Sequence, residues 1–163
     1  MSQTPKTTTK KSTRPKKILV AFVCTGNTCR SPVAEKLFKH HIKQKGLNDK
    51  YRAISVGLAA DDGQAMTSLS QSVLKQHKIP VGAHKSKRLT HKLANTIKYF
   101  ICMTKEHKHY LQGLPNTYCI SEITGGSDVI DPYSGTAEHY KKMYDCLAYA
   151  VAEVLDFLEK ATN

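Results

Sequence analysis

One stretch near the N-terminus constrains the fold more than any other part of the sequence. Residues 18–23 form an uninterrupted apolar run, typical of a buried strand in a parallel sheet, and we predict a strand over 17–23. A helix is predicted from Pro32, with Ser31 as its N-cap. A strand, a short loop and a helix in this order direct backbone N–H groups and the positive end of the helix dipole toward one point. The stretch therefore predicts an anion-binding loop, with the thiol of Cys24 beneath the anion.

Strand and helix patterns alternate along the remaining sequence. Apolar runs and alternating patterns predict strands over 51–56, 99–103 and 117–120, and helical periodicity predicts helices over 32–45, 65–77, 90–95, 105–112 and 137–160. This order favours the α/β class, and we predict a single-domain three-layer α/β/α fold with a four-stranded parallel sheet. Ligands of such sheets bind beyond the carboxyl ends of the strands, which is where Cys24 lies.

Basic residues are concentrated at the N-terminus. Six of the 25 basic residues and none of the 13 acidic residues lie in residues 1–17, which leaves a net charge of +6 on the rest of the chain, half of the total of +12. Because residues 1–16 have little apolar surface to bury, we predict a disordered basic arm, followed by a phosphate-binding domain over 17–163. The arm could contact an acidic partner, but we do not expect nucleic-acid binding.

Hydropathy and cysteine content limit where the chain acts. No apolar stretch is long enough to span a membrane, and the N-terminus lacks the apolar centre of a secretory signal. Five cysteines, an odd number, favour a reducing cytoplasm in which the thiols stay free. The neighbouring His40 and His41 have no cysteine or carboxylate at metal-ligand spacing, so we expect surface or half-buried side chains there and not metal ligands. We expect no cofactor. We also expect a monomer.

The residue types in the loop fit phosphate chemistry. Arg30 offers a planar fork of donors that can hold two phosphate oxygens at once. Gly26 permits a close approach of the backbone to the anion, and Asn27 tolerates the positive φ of a tight loop. A helix N-terminus and a neighbouring arginine lower cysteine pKa values to ~3.5–7.5. We therefore expect Cys24 to be a thiolate that attacks a bound phosphorus, with Ser31 donating a hydrogen bond to the sulfur.

Phosphoryl transfer also needs a proton donor for the leaving group. Asp131 is the candidate acid, because the adjacent Pro132 stiffens the loop that holds its carboxyl group. Asp128, in the same glycine-rich segment, is the alternative acid. After the first step, the carboxylate that gave up its proton can activate water for the second.

The motifs together resemble those of the low-molecular-weight protein tyrosine phosphatase family. Residues 23–35 match V-C-x-G-N-x-C-R-S-P-x-A-E, and residues 131–135 match its acid loop, D-P-[YF]-x-G. Residues 55–57 resemble its S-A-G segment. The spacing of His84, Ser86 and Leu89 resembles the segment whose histidine supports the loop asparagine, here Asn27. The resemblance covers about residues 17–160.

The resemblance implies a role for each matching residue. Cys24 is then the nucleophile that forms a cysteinyl-phosphate, Arg30 the phosphate clamp and Asp131 the general acid, with no metal and with phosphorylated proteins as substrates. Cys29 is then a second thiol that forms a reversible disulfide with Cys24 and protects it from over-oxidation. The other residues implied to form the phosphate-binding loop are Thr25, Gly26, Asn27, Thr28 and Ser31.

Thr28 is informative about the substrate. Tyrosine-specific members usually carry a bulky apolar residue at this position, whereas C-T-G-N-T-C-R-S over residues 24–31 resembles the protein-arginine phosphatase branch. A phosphoguanidinium carries N–H donors close to the phosphorus, and a threonine leaves it room and offers an acceptor. We therefore predict phosphoarginine as the favoured substrate and phosphotyrosine as the alternative. Tyr133 could stack on either group.

The chain departs from the family pattern at a few positions. Lys98 stands where many members have aspartate, and Tyr133-Ser134 replaces the Tyr-Tyr pair that is phosphorylated in some members, which puts that regulation in doubt.

Two other functions are remote alternatives. An arsenate reductase needs two further redox cysteines after the third strand, and Cys119 has the wrong spacing from Cys102. A non-enzymatic module that binds anions or nucleic acid has no use for a nucleophile and an acid.

Overall fold

In the computed structural model, residues 14–163 are described, and they form four strands and six helices. The strands are β1 (Ile18–Cys24), β2 (Tyr51–Gly57), β3 (Tyr99–Cys102) and β4 (Thr117–Cys119). The helices are α1 (Arg30–Gln44), α2 (Ser68–Gln76), α3 (His91–Ala94), α4 (Lys105–Tyr110), α5 (Ile120–Thr124) and α6 (Ala137–Thr162).

The four strands form one parallel sheet in the order β2-β1-β3-β4. The predicted α/β fold with a four-stranded parallel sheet is therefore confirmed. The register places Cys24 opposite Gly57 of β2, and Val23 opposite Cys102 of β3. Three strands thus end at one edge of the sheet, and the loop that begins at Cys24 lies at the centre of that edge.

Side chains of β1 alternate between two apolar clusters, one on each face of the sheet. Val20 and Phe22 belong to the larger cluster, which packs against α1, α2, α5 and α6. Ala21 and Val23 belong to the smaller cluster, which includes residues of α3 and of the segment after α4. Each fully buried large apolar side chain stabilises the fold by ~1.5–3 kcal/mol, so β1 is held firmly from both faces.

Several helix boundaries differ from the prediction. α1 begins at Arg30 with Cys29 at its N-cap, so Ser31 is not the N-cap and Pro32 is not the first helical residue. The Ser31 hydroxyl contacts Cys24 and Asn27 instead, and those contacts belong to the loop. α2 begins three residues later than predicted, because Thr67 caps it by accepting a hydrogen bond from the N–H of Ser70.

The short helix α5 was not predicted from the sequence. It has five residues, and the strand predicted over 117–120 ends one residue earlier to make room for it. Its start is fixed by the carboxylate of Glu122, which accepts a hydrogen bond from the N–H of Cys119 at 3.0 Å. One turn of helix is too short for a periodic apolar pattern to develop.

The predicted basic arm lies outside the described residues, apart from residues 14–16, which are exposed and form neither helix nor strand. Within residues 14–163, no helix has the length and apolar character needed to cross a membrane.

Candidate active site

The loop between β1 and α1 encloses the sulfur of Cys24. The side chain is buried, and the Ser31 hydroxyl lies 2.8 Å from Sγ. The N–H of Asn27 donates to the same sulfur at 3.3 Å. Because α1 begins at Arg30, its positive end also faces the loop. The loop therefore places the Ser31 hydroxyl and the Asn27 N–H against one sulfur.

Two opposing effects act on the ionisation of Cys24. Burial raises the pKa of the thiol and is the largest effect, while the Ser31 hydroxyl, the positive charge of Arg30 and the Asn27 N–H act to lower this pKa. The net direction from these contacts is upward, which contradicts the lowered pKa expected from the sequence. The dipole of α1 and the other loop amides also favour the charged sulfur. Thiolate formation at Cys24 thus remains a prediction.

Asn27 is fixed on three sides. Its φ of +58° reverses the chain inside the loop, and its side-chain amide donates to the Ser31 hydroxyl at 2.8 Å. Its side-chain oxygen accepts a hydrogen bond from the N–H of Lys87 at 2.9 Å. His84 Nε2 donates to the Asn27 carbonyl at 2.8 Å, so the structure places His84 where the resemblance implied a support.

The backbone of β2 packs closely against the loop. A Cβ at Gly57 would lie 2.5 Å from the carbonyl oxygen of Thr25, so only glycine fits there. The N–H groups of Leu58 and Ala59 then donate to the carbonyls of Cys24 and Thr25, at 2.9 and 3.0 Å. Gly26 is different: a Cβ there would meet only the Thr28 hydroxyl, at 3.9 Å. Its expected role, close approach to an anion, stays a prediction.

Arg30 links the loop to the segment that carries Asp131. Its guanidinium is buried, donates from Nη1 to the carbonyl of Val129 at 3.1 Å, and places Nη2 3.6 Å from Oδ2 of Asp131. The side chain of Asp131 is half exposed, and its Oδ1 accepts a hydrogen bond from the N–H of Tyr133 at 3.1 Å. The carboxylate therefore has a defined position at the rim of the loop and remains accessible.

Asp128 is held in a different environment. Its carboxylate accepts hydrogen bonds from the N–H of Lys105 at 3.1 Å and from the Ser121 hydroxyl at 3.0 Å. Burial raises the pKa of Asp128, but these bonds and one from Cys119 together hold it below the ordinary value. An aspartate that joins α4 to α5 in this way is suited to a structural role, and Asp128 is not among the residues lining the cavity above Cys24.

The loop and its neighbours surround one cavity of about 230 Å³. Besides loop residues 24–30, its lining consists of Ala59, Asp61, Gln64, Asp131 and Tyr133. The structure therefore brings the predicted nucleophile, clamp, acid and selectivity residues together. Ala59, Asp61 and Gln64 were not predicted from the sequence, although their position just after β2, at the carboxyl edge of the sheet, was an available signal.

The segment that carries Asp61 is held by Ser86. The buried Ser86 hydroxyl donates to the carbonyl of Asp61 and accepts a hydrogen bond from the N–H of Gln64 at 2.8 Å. The Asp61 side chain is exposed and forms no ion pair with any of residues 14–163. The rim of the cavity thus carries two accessible carboxylates, Asp61 and Asp131.

The Thr28 and Tyr140 hydroxyls both contact the sulfur of Cys29, which lines the cavity. The sulfur of Cys29 is 3.4 Å from the Tyr140 hydroxyl and 3.8 Å from the Thr28 hydroxyl. Burial and the contact with Cys29 raise the pKa of Tyr140 to about 12, so this phenol stays neutral. The Thr28 carbonyl accepts a hydrogen bond from the N–H of Thr67 at 3.1 Å, which fixes the backbone where its side chain enters the cavity.

The described residues offer no cluster of three or more histidine, cysteine, aspartate or glutamate side chains that could hold a metal ion.

Comparisons with known proteins agree with this geometry. The profile of the family described as low molecular weight phosphotyrosine protein phosphatase matches residues 19–163. A protein-arginine-phosphatase of Bacillus subtilis is 34% identical over 148 residues, covering 86% of this chain and 97% of that protein. A low molecular weight protein-tyrosine-phosphatase, PtpB, of Staphylococcus haemolyticus is 32% identical and covers 83% and 96%.

The fold agrees equally well with a solved structure. The crystal structure of a YwlE mutant from Bacillus subtilis superposes with a TM-score of 0.81 at 31% identity, covering 88% of this chain and 99% of that one. From the profile match, the identities and the fold, the chain belongs to the low molecular weight protein phosphatase family and is a phosphatase of the kind that acts on phosphorylated proteins.

Proposed function

We propose that the protein hydrolyses phosphorylated protein side chains through a cysteinyl-phosphate on Cys24, with phosphoarginine favoured. The observation that carries the mechanism is the convergence of Cys24, Arg30 and Asp131 on one cavity. A nucleophile, an anion clamp and a proton donor are the groups that phosphoryl transfer through a covalent intermediate requires.

In the first step, the Cys24 sulfur attacks phosphorus, and the bond from phosphorus to the leaving oxygen or nitrogen breaks. Asp131, in its protonated form, gives its proton to that leaving atom. Arg30 and the loop N–H groups hold the phosphoryl oxygens, where charge develops in the transition state. The Ser31 hydroxyl, 2.8 Å from the sulfur, stabilises the thiolate before the attack.

In the second step, the Asp131 carboxylate accepts a proton from water as the water oxygen attacks the cysteinyl-phosphate. The sulfur–phosphorus bond breaks, Cys24 leaves as thiolate, and inorganic phosphate is released. The contact with Arg30 and the hydrogen bond from the Tyr133 N–H keep the carboxyl group in place for both steps. Asp131 is half exposed, so water reaches it without a conformational change.

Two features of the cavity favour phosphoarginine. Thr28, within the loop, supplies a small hydroxyl to the cavity, and Asp61 supplies a second accessible carboxylate at the rim. A phosphoguanidinium carries N–H donors next to the phosphorus, which these oxygens can accept, whereas a phenyl ring has none to offer. Ala59 also lines the cavity, and its small side chain leaves space for the substrate.

Phosphotyrosine is the second candidate, and the exposed ring of Tyr133 is compatible with it. The ring of Tyr133 is 68% exposed at the rim of the cavity, where it could stack on a phenyl ring as well as on a guanidinium. Relatives named for either activity are known at comparable identity, so the family alone does not choose between them.

An arsenate reductase is disfavoured by the remaining cysteines. Cys102 and Cys119 lie opposite each other on β3 and β4, both fully buried. Burial and the neighbouring Cys119 raise the pKa of Cys102 to about 12, so at neutral pH it is a thiol rather than a reactive thiolate.

For Cys29 we propose the redox role that the resemblance implied, a reversible disulfide with Cys24, because Cys24 and Cys29 line the same cavity.

We propose that the enzyme acts in the cytoplasm, a reducing compartment that suits its five free cysteines. We also propose that it is a monomer. A sedimentation profile showing a dimer would contradict the monomer.

The substrate assignment is tested with phosphoarginine and phosphotyrosine peptides of identical flanking sequence. We expect the wild type to have the higher kcat/KM for phosphoarginine, Thr28→Ile to lose this preference, and Cys24→Ser to turn over neither peptide. The matched control is Thr124→Ile, which lies at the end of α5, away from the lining of the cavity. A wild type that prefers phosphotyrosine, or a Thr28→Ile variant with unchanged preference, would contradict the assignment.

A further inference from the structure

His107 is a buried imidazole on α4 that contacts the loop. Its Nε2 atom lies 2.9 Å from the hydroxyl oxygen of Thr25, the residue that follows Cys24. The side chain is only 5% exposed, and its other nitrogen, Nδ1, is buried without a hydrogen-bond partner among residues 14–163. A buried polar atom without a partner carries a free-energy cost, so the position of this ring calls for a reason.

The ring is neutral at physiological pH. Burial and the nearby positive charge of Arg30 lower the pKa of His107 to about 4, against a smaller opposite effect of Asp128 and Asp131. A neutral imidazole has one N–H and one lone pair, so it donates from one nitrogen and accepts at the other. The contact with Thr25 can therefore run in either of two directions.

The two directions differ in what they leave unpaired. If Nε2 accepted the hydroxyl proton of Thr25, an N–H on Nδ1 would be buried with nothing to bind. If Nε2 carries the hydrogen, Nδ1 has only a lone pair, which is left without a donor. In folded proteins, buried N–H groups without an acceptor are rarer than buried acceptors without a donor. The second direction is therefore preferred.

This direction has a consequence for Thr25. A hydroxyl oxygen that accepts a hydrogen bond from His107 keeps its own hydrogen for another partner. Thr25 lines the cavity, and its backbone is fixed because its carbonyl accepts a hydrogen bond from the N–H of Ala59 at 3.0 Å. The free O–H therefore has the phosphate-binding cavity on its accessible side.

We propose that His107 is a positioning residue that turns the Thr25 hydroxyl into a donor toward the bound phosphoryl group. His107 itself lies beneath the loop and does not touch substrate. The proposal rests on the proposed function in one respect, that the loop binds the phosphoryl group being transferred. The Thr25 hydroxyl then binds the phosphoryl group together with Arg30 and the loop N–H groups. This role of the Thr25 side chain was not expected from the sequence.

A double-mutant cycle tests the proposal, with kcat/KM for para-nitrophenyl phosphate and the inhibition constant of inorganic phosphate as readouts. We expect Thr25→Val and His107→Leu each to lower kcat/KM by about tenfold, as for the loss of one hydrogen bond to a charged group. Combined, they should lower it no further, because both remove the same donor. The inhibition constant of phosphate should rise in the same variants.

Conservative and neighbouring variants separate positioning from folding. Thr25→Ser keeps the hydroxyl and should keep the activity. His107→Gln can place an N–H near the position of Nε2, and should lose less than His107→Leu. His109→Leu, an exposed histidine on the same helix, should have no effect on kcat/KM.

The outcomes distinguish this proposal from the proposed function. Losses of His107→Leu and Thr25→Val that multiply in the double variant would overturn the positioning role, as would full activity in Thr25→Val. If His107→Leu does not fold, His107→Gln takes its place in the double-mutant cycle. Thr25→Val against Thr25→Ser still tests the hydroxyl, because Thr25 is exposed and both Thr25 variants should fold. A wild type without turnover, or an active Cys24→Ser, would instead contradict the proposed function.

Discussion

The Nη2 atom of Arg30 lies 3.6 Å from Oδ2 of Asp131, although the two residues are 101 positions apart in the sequence. This ion pair connects the phosphate-binding loop to the segment before α6. Arg30 is buried while Asp131 is half exposed, so the pair places a fixed cation beneath an accessible carboxylate. A bound phosphoryl group would then have its clamp and its acid on neighbouring sides.

Replacing Asp131 should affect chemistry more than folding. We expect Asp131→Asn to lower kcat by ~10²–10⁴-fold for substrates with poor leaving groups, because the general acid is lost. The loss should be smaller for para-nitrophenyl phosphate, whose leaving group needs little protonation. Steady-state kinetics over a series of aryl phosphates measure this dependence.

The matched control for Asp131 is Asp128→Asn. Asp128 holds Lys105 and Ser121, so its replacement should lower the free energy of unfolding by ~1–3 kcal/mol, with a much smaller change in kcat. A collapse of kcat in Asp128→Asn and not in Asp131→Asn would show that the acid was assigned to the wrong aspartate.

Ionisation of Cys24 should depend on the residues that contact or surround its sulfur. Ser31 and Arg30 both lower the pKa of Cys24 against the effect of burial. We therefore expect Ser31→Ala and Arg30→Met each to shift the midpoint of Cys24 alkylation by iodoacetamide to higher pH. Ser68→Ala, at the exposed start of α2, serves as control and should leave it unchanged. A midpoint that falls in either variant would contradict the predicted stabilisation of the thiolate.

Cys29 should protect Cys24 against oxidation. After brief treatment with hydrogen peroxide and then a thiol reductant, the wild type should recover most of its activity, because a disulfide is reducible and a sulfinic acid is not. Cys29→Ser should recover little. Cys146→Ser, a change at a half-buried cysteine on α6, is the control and should recover as the wild type does. Equal recovery in all three proteins would remove the redox role of Cys29.

His107 should make the fold sensitive to acid. In the folded protein, the pKa of His107 is lowered to about 4, mainly because the ring is buried. In the unfolded chain, the pKa of histidine is ~6.5. Between these values only the unfolded state is protonated, so stability should fall as the pH falls from ~6.5 to 4. Urea unfolding of His107→Gln should show a shallower decline over this range than that of the wild type or of His109→Gln. An equally steep decline would contradict the neutral buried ring.

The sequence was sufficient to predict the sheet and the loop, for identifiable physical reasons. Strand β1 carries an unbroken apolar run because both faces of the sheet cover it, and this run fixed the position of Cys24. Asn27 was correctly expected at a positive φ, since few other residues tolerate it. The start of α1 was misplaced, because the hydroxyl of Ser31 contacts the sulfur and does not cap the helix.

Other parts of the site depend on contacts between distant segments. Ser86 positions Asp61 and Gln64 although it lies 22 or more residues away in the sequence, and no local sequence pattern predicts these contacts. His107 lies 82 residues from Thr25 and belongs to a helix of six residues, too short for a clear periodic signal. Both relationships appear only when the strands have been brought together at one edge.

Trapping the intermediate is the decisive experiment on whether Cys24 becomes covalently bound to the phosphoryl group during the reaction. Asp131→Asn removes the group that activates water, so the cysteinyl-phosphate should accumulate when this variant is mixed with para-nitrophenyl phosphate and quenched rapidly. Mass spectrometry of the digested protein should then find the phosphoryl group on the peptide that contains Cys24, and Cys24→Ser with Asp131→Asn should carry no phosphoryl group on sulfur and release no para-nitrophenol. Continued turnover with no phosphorylated Cys24 peptide, or with the phosphoryl group on a residue outside the loop, would rule out a covalent intermediate on Cys24.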